Sequence, residues 1–193
     1  MPEAQADVLT PDEVLIGLAR EGDRGAREEL FRRHVGIAHR VAYRLLGHEQ
    51  DAQDAVQDAL VKALKHLEDF DGRSGFRTWL LRIVTNASLD SGRKRRRRPT
   101  IRIDEAETGG VETAIQDDPA LGMHRDDLKK VLYAALDRLS PPIRATFVLF
   151  AEADMSYKDI AALQDVPVGT VMSRLHYARQ KLQSYLDGVE GIS

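Results

Sequence analysis

Apolar residues recur along this chain with the 3.6-residue period of helices, and the alternation expected of strands is nearly absent. Thr10-Pro11-Asp12-Glu13 predicts a helix start, with a capping hydroxyl, proline in the first turn and acids at the positive end of the dipole. That helix stops near Gly22. A longer one, about Asp23 to Leu46, buries Leu30, Phe31, Val35, Ala38, Val41, Ala42 and Leu45, and Gly47 ends it. A third, about Glu49 to Leu67, buries Ala52, Ala55, Val56, Ala59, Leu60, Ala63 and Leu64. Its first half turns Glu49, Asp51, Asp54 and Asp58 to solvent with no nearby cation. After the loop Asp69 to Gly75, a fourth helix begins near Phe76. It buries Phe76, Trp79, Leu80, Ile83, Val84 and Ala87, enters the tract Arg93 to Arg98, and is closed by Pro99.

Periodicity is lost over residues 99 to 127, where Gly109-Gly110, Pro119 and a run of acids predict an extended or disordered connector. It resumes with a helix from Leu128 to about Leu139, a turn at Ser140-Pro141-Pro142, and a helix over about Ile143 to Ala153. Two further helices are joined by a tight turn at Gln164-Asp165-Val166-Pro167. Ser156 and Asp159 cap the first of them, and Pro167 opens the second. Within the second, Val171, Leu175, Ala178 and Leu182 form one buried stripe. Ser173, His176, Tyr177 and Gln180 point the opposite way, with Arg174 and Lys181 on one flank and Arg179 on the other. Short polar readers between cations suit a helix in a major groove, where central side chains reach base edges and flanking ones hold phosphates. This is a helix-turn-helix. The fold class is therefore all-α: two small helical domains, residues 10–98 and 128–187, joined by a flexible acidic linker at 99–127.

The net charge of −3 hides strongly opposed blocks. Nine Lys or Arg stand against Asp90 alone between Arg73 and Arg98, whereas eight acids stand against Arg125 alone between Asp104 and Asp127. Local field, not total charge, governs the response to a polyanion. The chain has no cysteine, which excludes disulfides and thiolate metal sites. The N-terminus lacks the basic start and apolar run of a secretory signal, and no stretch approaches the length a membrane-spanning helix requires. A cytoplasmic location is the expectation. No local motif sets a nucleophile beside its base, and Gly72-Arg-Ser-Gly75 lacks the lysine of a nucleotide loop, so neither catalysis nor a cofactor is expected.

Several motifs, in order, carry a family resemblance. They are Asp51-Ala-Gln-Asp54-Ala-Val-Gln57-Asp58, then Phe76-Arg-Thr-Trp79-Leu80-Leu-Arg82-Ile83-Val-Thr-Asn86-Ala-Ser-Leu-Asp90, then Leu139-Ser-Pro141, Ser156-Tyr-Lys-Asp159-Ile160-Ala161, and Pro167-Val-Gly169-Thr170-Val171-Met-Ser173-Arg174. Together they cover roughly residues 14 to 187, and the chain resembles bacterial RNA polymerase sigma factors of the extracytoplasmic-function (ECF) group. The resemblance implies partners: core RNA polymerase through its β′ clamp coiled coil and β subunit, promoter DNA, and an anti-sigma factor. It implies that Asp51, Asp54, Gln57 and Asp58 face the polymerase. It implies that the loop and fourth helix, with Asp71, Arg73, Ser74, Arg77, Arg82, Asn86, Arg93, Lys94 and Arg95, face the −10 element. Thr170, Ser173, Arg174, His176, Tyr177, Arg179 and Lys181 would face the −35 element. The linker would thread towards the active centre. Met172 departs from the family, standing where Arg or Lys is common.

Elementary chemistry refines these roles. A promoter base must leave its stack to be read, at a cost of a few kcal/mol that hydrogen bonds can offset. Asp71, Arg73, Ser74 and Asn86 are the candidates for that capture, while Phe76 and Trp79 belong by phase to the core. Two other readings stay open on the residues alone. A conventional helix-turn-helix regulator would have no use for the acidic third helix. A nuclease with metal at Asp51, Asp54 and Asp58 would need motif logic that is missing.

Overall fold

The computed structural model describes residues 10–97 and 130–188, with side chains as far as Arg95 in the first stretch. The side chains of Arg96 and Arg97, together with Arg98 and the acidic linker expected at 99–127, lie outside the described residues. All regular structure among the described residues is helical. The helices are α1 (Asp12–Arg20), α2 (Arg24–Leu46), α3 (Glu49–Lys65), α4 (Phe76–Arg97), α5 (residues 130–137), α6 (Pro141–Ala151), α7 (Tyr157–Gln164) and α8 (Val168–Asp187).

Local chemistry sets most of the boundaries. Asp23 caps α2 by accepting from the Ala26 amide, and Gly47 closes it at φ 70°, a left-handed conformation that a Cβ would strain. Ser156 caps α7 by accepting from the Asp159 amide at 3.1 Å, and its own hydroxyl donates to Asp159 Oδ2 at 2.6 Å. The turn between α7 and α8 passes through Asp165 at φ 54°, a region that Asp tolerates better than most residues. The start of α1 differs from expectation. Pro11 is its N-cap with no side-chain bond, and Thr10 contributes its carbonyl, which accepts from Arg33 Nη1 at 2.5 Å.

The first four helices pack on one another around Leu30, Ala38, Ala42, Ala52, Val56, Ala59, Leu80 and Val84. The alanines let α2 and α3 approach closely. A second core joins Ala135, Leu136 and Leu139 to Ala178 and Leu182, fixing α8 against the chain around α5. Two expected core positions are exposed: Val35 at 37% and Leu64 at 43%. Leu64 sits at the margin of its stripe, and phase alone does not say at which level along α2 the neighbours stop covering Val35.

The larger difference lies between the two helical groups, which are not simply tethered. A third core mixes Ile37, Val41 and Leu45 of α2 and Leu81 of α4 with Ala145, Val148, Leu149, Ile160, Val171 and Leu175. Leu81 is fully buried although it stands outside the stripe through Phe76, Leu80, Val84 and Ala87. Burying such a leucine contributes about 1.5–3 kcal/mol. Helix α4 thus carries two apolar faces, one for each group.

Candidate nucleic-acid interface

Helix α8 presents its expected amphipathic division. Val171, Leu175, Ala178 and Leu182 are buried, while Ser173, His176, Tyr177, Arg179, Gln180 and Lys181 are exposed and Thr170 is half-buried. Ser173 Oγ donates to Thr170 O at 3.0 Å, which holds the hydroxyl close to the helix axis. Lys181 Nζ lies 5.7 Å from the centre of the Tyr177 ring, so these two side chains form one cationic, aromatic ridge. The Arg179 guanidinium lies 5.4 Å from the Phe150 ring centre.

Arg174 differs from its flanking partners. It is half-buried and donates through Nη1 to Gln164 Oε1 at 2.9 Å, an oxygen that also accepts from Thr146 Oγ1 at 2.8 Å. Expected mainly to contact phosphates, this arginine also ties α8 to the end of α7 and to α6. Phase could not reveal that, because the acceptor lies ten residues away across the turn.

On the first helical group, α4 divides into three faces. Phe76, Leu80, Val84 and Ala87 face their own core, and the Phe76 ring meets those of Phe31, Phe70 and Trp79. Arg82, Asn86 and Asp90 line an open groove of about 500 Å³, whose apolar floor is Trp79, Ile83 and Ala87. Its opposite wall is Lys62 and His66 of α3, with Asp69 of the loop. Trp79 is therefore only half-buried, serving both as core and as groove floor. Lys62 and His66 escaped the sequence reading, although their i, i+4 spacing at the end of α3 was the available signal.

The third face of α4, through Arg77, Leu81 and Leu89, meets the second helical group. Arg77 donates through Nη2 to Ala153 O at 2.6 Å. That bond ties Arg77 to the second group while the residue stays exposed. A small cavity of about 40 Å³, bordered by Arg93 among others, remains along this junction.

The loop before α4 is pinned at its start by Arg20 of α1, which donates to Leu67 O at 3.2 Å and also to Phe70 O. Asp71 Oδ1 accepts from the Arg73 amide at 3.0 Å and Oδ2 from Arg73 Nε at 2.5 Å. Those bonds, the backbone one first, hold the Asp71 carboxyl below its ordinary range. Gly72 stands between them at φ 71°. Ser74 is half-buried, and Arg82, Asn86, Arg93 and Lys94 are exposed.

Helix α3 exposes Asp54, Gln57 and Asp58. Asp51 does not match its expected freedom from cations. Arg95 Nη1 reaches Asp51 Oδ2 at 2.6 Å across forty-four residues of sequence, and His39 Nε2 sits 3.0 Å from Glu49 Oε1. Among the described residues no group of three or more His, Asp or Glu side chains converges as a metal site would, so Asp51, Asp54 and Asp58 do not form one. No helix among the described residues is long and apolar enough to cross a membrane.

Two family models match the chain: Sigma-70 region 2 over residues 30–98 and Sigma-70 region 4 over residues 129–182. The ECF RNA polymerase sigma factor SigE of Mycolicibacterium smegmatis is 37% identical over 94% of this chain and 72% of its own length. The ECF RNA polymerase sigma-E factor of Escherichia coli K12 is 32% identical, covering 90% of this chain and 93% of that protein. Among solved structures, CnrH in complex with the cytosolic domain of CnrY superposes with a TM-score of 0.71 at 30% identity, over 93% of this chain and 99% of that one. RpoE of Bartonella quintana, in complex with the anti-sigma factor NepR, gives 0.63 at 26% identity over 84% and 98%.

Proposed function

The chain belongs to the ECF group of RNA polymerase sigma factors, and from that premise we propose how its charged faces divide the work of starting transcription. As a member it binds core RNA polymerase and directs promoter-specific initiation through −10 and −35 elements. Residues 10–98 form the domain for polymerase and the −10 element, 99–127 the linker, and 128–187 the domain for the −35 element. The reading face of α8 carries this assignment: its apolar side is sealed into the protein while Ser173, His176 and Tyr177 stand clear. These three meet base edges in the major groove, with Thr170 beside them, and Arg179 and Lys181 hold phosphates.

At the −10 element, the groove under Asn86 receives an unstacked base. Its aromatic and aliphatic floor matches the face of a base, while Asn86 and Arg82 supply hydrogen bonds at the rim. Asp71, Arg73 and Ser74 position the strand that enters it, and Arg77, Arg93, Lys94 and Arg95 face the backbone. Asp51, Asp54, Gln57 and Asp58 meet the polymerase clamp. The protein works in the cytoplasm, confers specificity and leaves catalysis to the polymerase. By analogy with the neighbour bound to NepR, an anti-sigma protein is its regulatory partner.

Run-off transcription with purified core polymerase tests this assignment. The chain should convert a silent core enzyme into one that starts at a discrete promoter; unchanged initiation in its presence refutes the reading. Within that assay, Asn86→Ala should lower initiation from duplex DNA about tenfold, the equivalent of a lost base contact of 1–3 kcal/mol. Its initiation from a template already unpaired at −10 should fall less, because the stack is broken in advance. Equal losses on both templates would remove Asn86 from base capture.

Salt dependence separates the roles of two cations on α8. Lys181→Ala should reduce the slope of log affinity against log salt by about one unit for promoter-bound holoenzyme. Arg174→Ala should leave most of that slope intact and instead lower the stability of the domain, since its guanidinium is held by Gln164.

A further inference from the structure

We propose that Met172, with Val168 one turn before it, reads the C5-methyl group of a thymine in the −35 element and so sets promoter choice beside the polar readers. The proposal rests on the −35 reading above and adds to it a residue of different chemistry. Met172 is 55% exposed, more than any other large hydrophobic side chain among the described residues, and Val168 is 40% exposed. Among the described residues, neither belongs to the three apolar cores that hold the helices together. Their neighbours Val171 and Leu175 are buried, so α8 is already seated while these two still face water. Pro167 sets Val168 at the first position of α8 and Met172 in its second turn. That is the end of a recognition helix that meets base edges.

At 3.6 residues per turn, Val168 and His176 fall about 40° to either side of Met172, and Arg179 about 20° from it. One exposed ridge of α8 therefore runs Val168, Met172, His176, Arg179, beside the polar ridge of Ser173, Tyr177 and Gln180. It begins apolar and ends in a cation. That order suits a helix whose first turns enter the groove and whose later turns pass the phosphates.

Every base pair shows hydrogen-bonding atoms in the major groove, and thymine adds the one apolar group there, its methyl. An apolar side chain pressed on any other base edge strips water from polar atoms and leaves them unpaired, which costs free energy. Phosphates offer Met172 and Val168 no attraction either. The thymine methyl is thus the part of the duplex that these two side chains can recognise. Methionine suits the contact, since three rotatable bonds and a polarizable sulfur let it settle against a methyl without strain. Arg179 and Lys181 on the same helix supply the cations that hold the duplex against it.

The test uses holoenzyme assembled from core polymerase and the full chain, which selects bound duplexes from a library randomised over both promoter elements. The enriched duplex is resynthesised with deoxyuridine in place of one −35 thymine at a time, which deletes the methyl and keeps the hydrogen-bonding edge. At one such thymine, parent holoenzyme should bind about fourfold more weakly, the factor for one methyl group returned to water. Met172→Ala should bind both forms equally there, whereas Met172→Leu should keep the difference. Met172→Arg should lose it and add about one unit to the salt slope. Met172 is exposed, so none of these changes disturbs a core. A selected −35 element without thymine, equal affinity of the parent for both forms, or a difference that persists in Met172→Ala would each overturn the inference. Those results leave the −35 reading standing, because a sequence has still been selected. Enrichment of no −35 sequence at all would sink that reading, and this inference with it.

Discussion

Reversing Asp54 and Asp58 to arginine is expected to weaken binding to core polymerase by about a hundredfold or more, with the helical content of the chain unchanged. Both carboxylates are exposed on α3, so the substitutions disturb no core, and surface changes of this kind stay within about 0.5 kcal/mol of stability. Binding responds differently. Each reversal replaces an attraction with a like-charge contact, which costs several kcal/mol across an interface, and about 1.4 kcal/mol is a factor of ten. Asp51 is a poorer probe, because its partner Arg95 is stranded when the carboxylate is removed. Titration of labelled chain with core enzyme measures the affinity, and circular dichroism checks the fold. Binding within threefold of the parent would place the polymerase contact elsewhere.

Leu175→Ala is expected to lower stability by about 2–5 kcal/mol, the range for a large buried side chain cut back to a methyl. Leu175 is 1% exposed and lies in the core that α8 shares with α6, α7 and α2. Small helical domains retain only a few kcal/mol of net stability, so the loss is a large share of what holds the reading helix in place. Promoter-specific initiation should fall with the urea midpoint. Tyr177→Ala provides the contrast. It removes an exposed side chain two residues further along, leaves the midpoint within about 0.5 kcal/mol, and acts on promoter choice alone. Matched midpoints for Leu175→Ala and the parent would mean that the core does not bear on this position.

Helix positions were legible because capping and periodicity are local. Ser156, Asp23 and Gly47 act within four residues of themselves, and the stripe of α8 follows from its own phase. The same local logic separated Phe76 and Leu80 from Arg82 and Asn86. It misjudged Trp79 only by half, since a groove floor and a core wall share one side of the helix.

By itself, then, the sequence determined the helical class, the recognition helix, the acidic face of α3 and, through its ordered motifs, the family. All of these depend on spacings within a turn or two of helix, or on motif order. The tertiary structure alone decided which charges are free. It paired Asp51 with Arg95, took Arg174 for Gln164, and spent Arg77, Arg44 and Arg144 on the junction between domains. It also gave Leu81 its partners. The physical reason is range: a guanidinium on a long flexible stem bonds whatever acceptor folding brings near, and those acceptors come from anywhere along the chain.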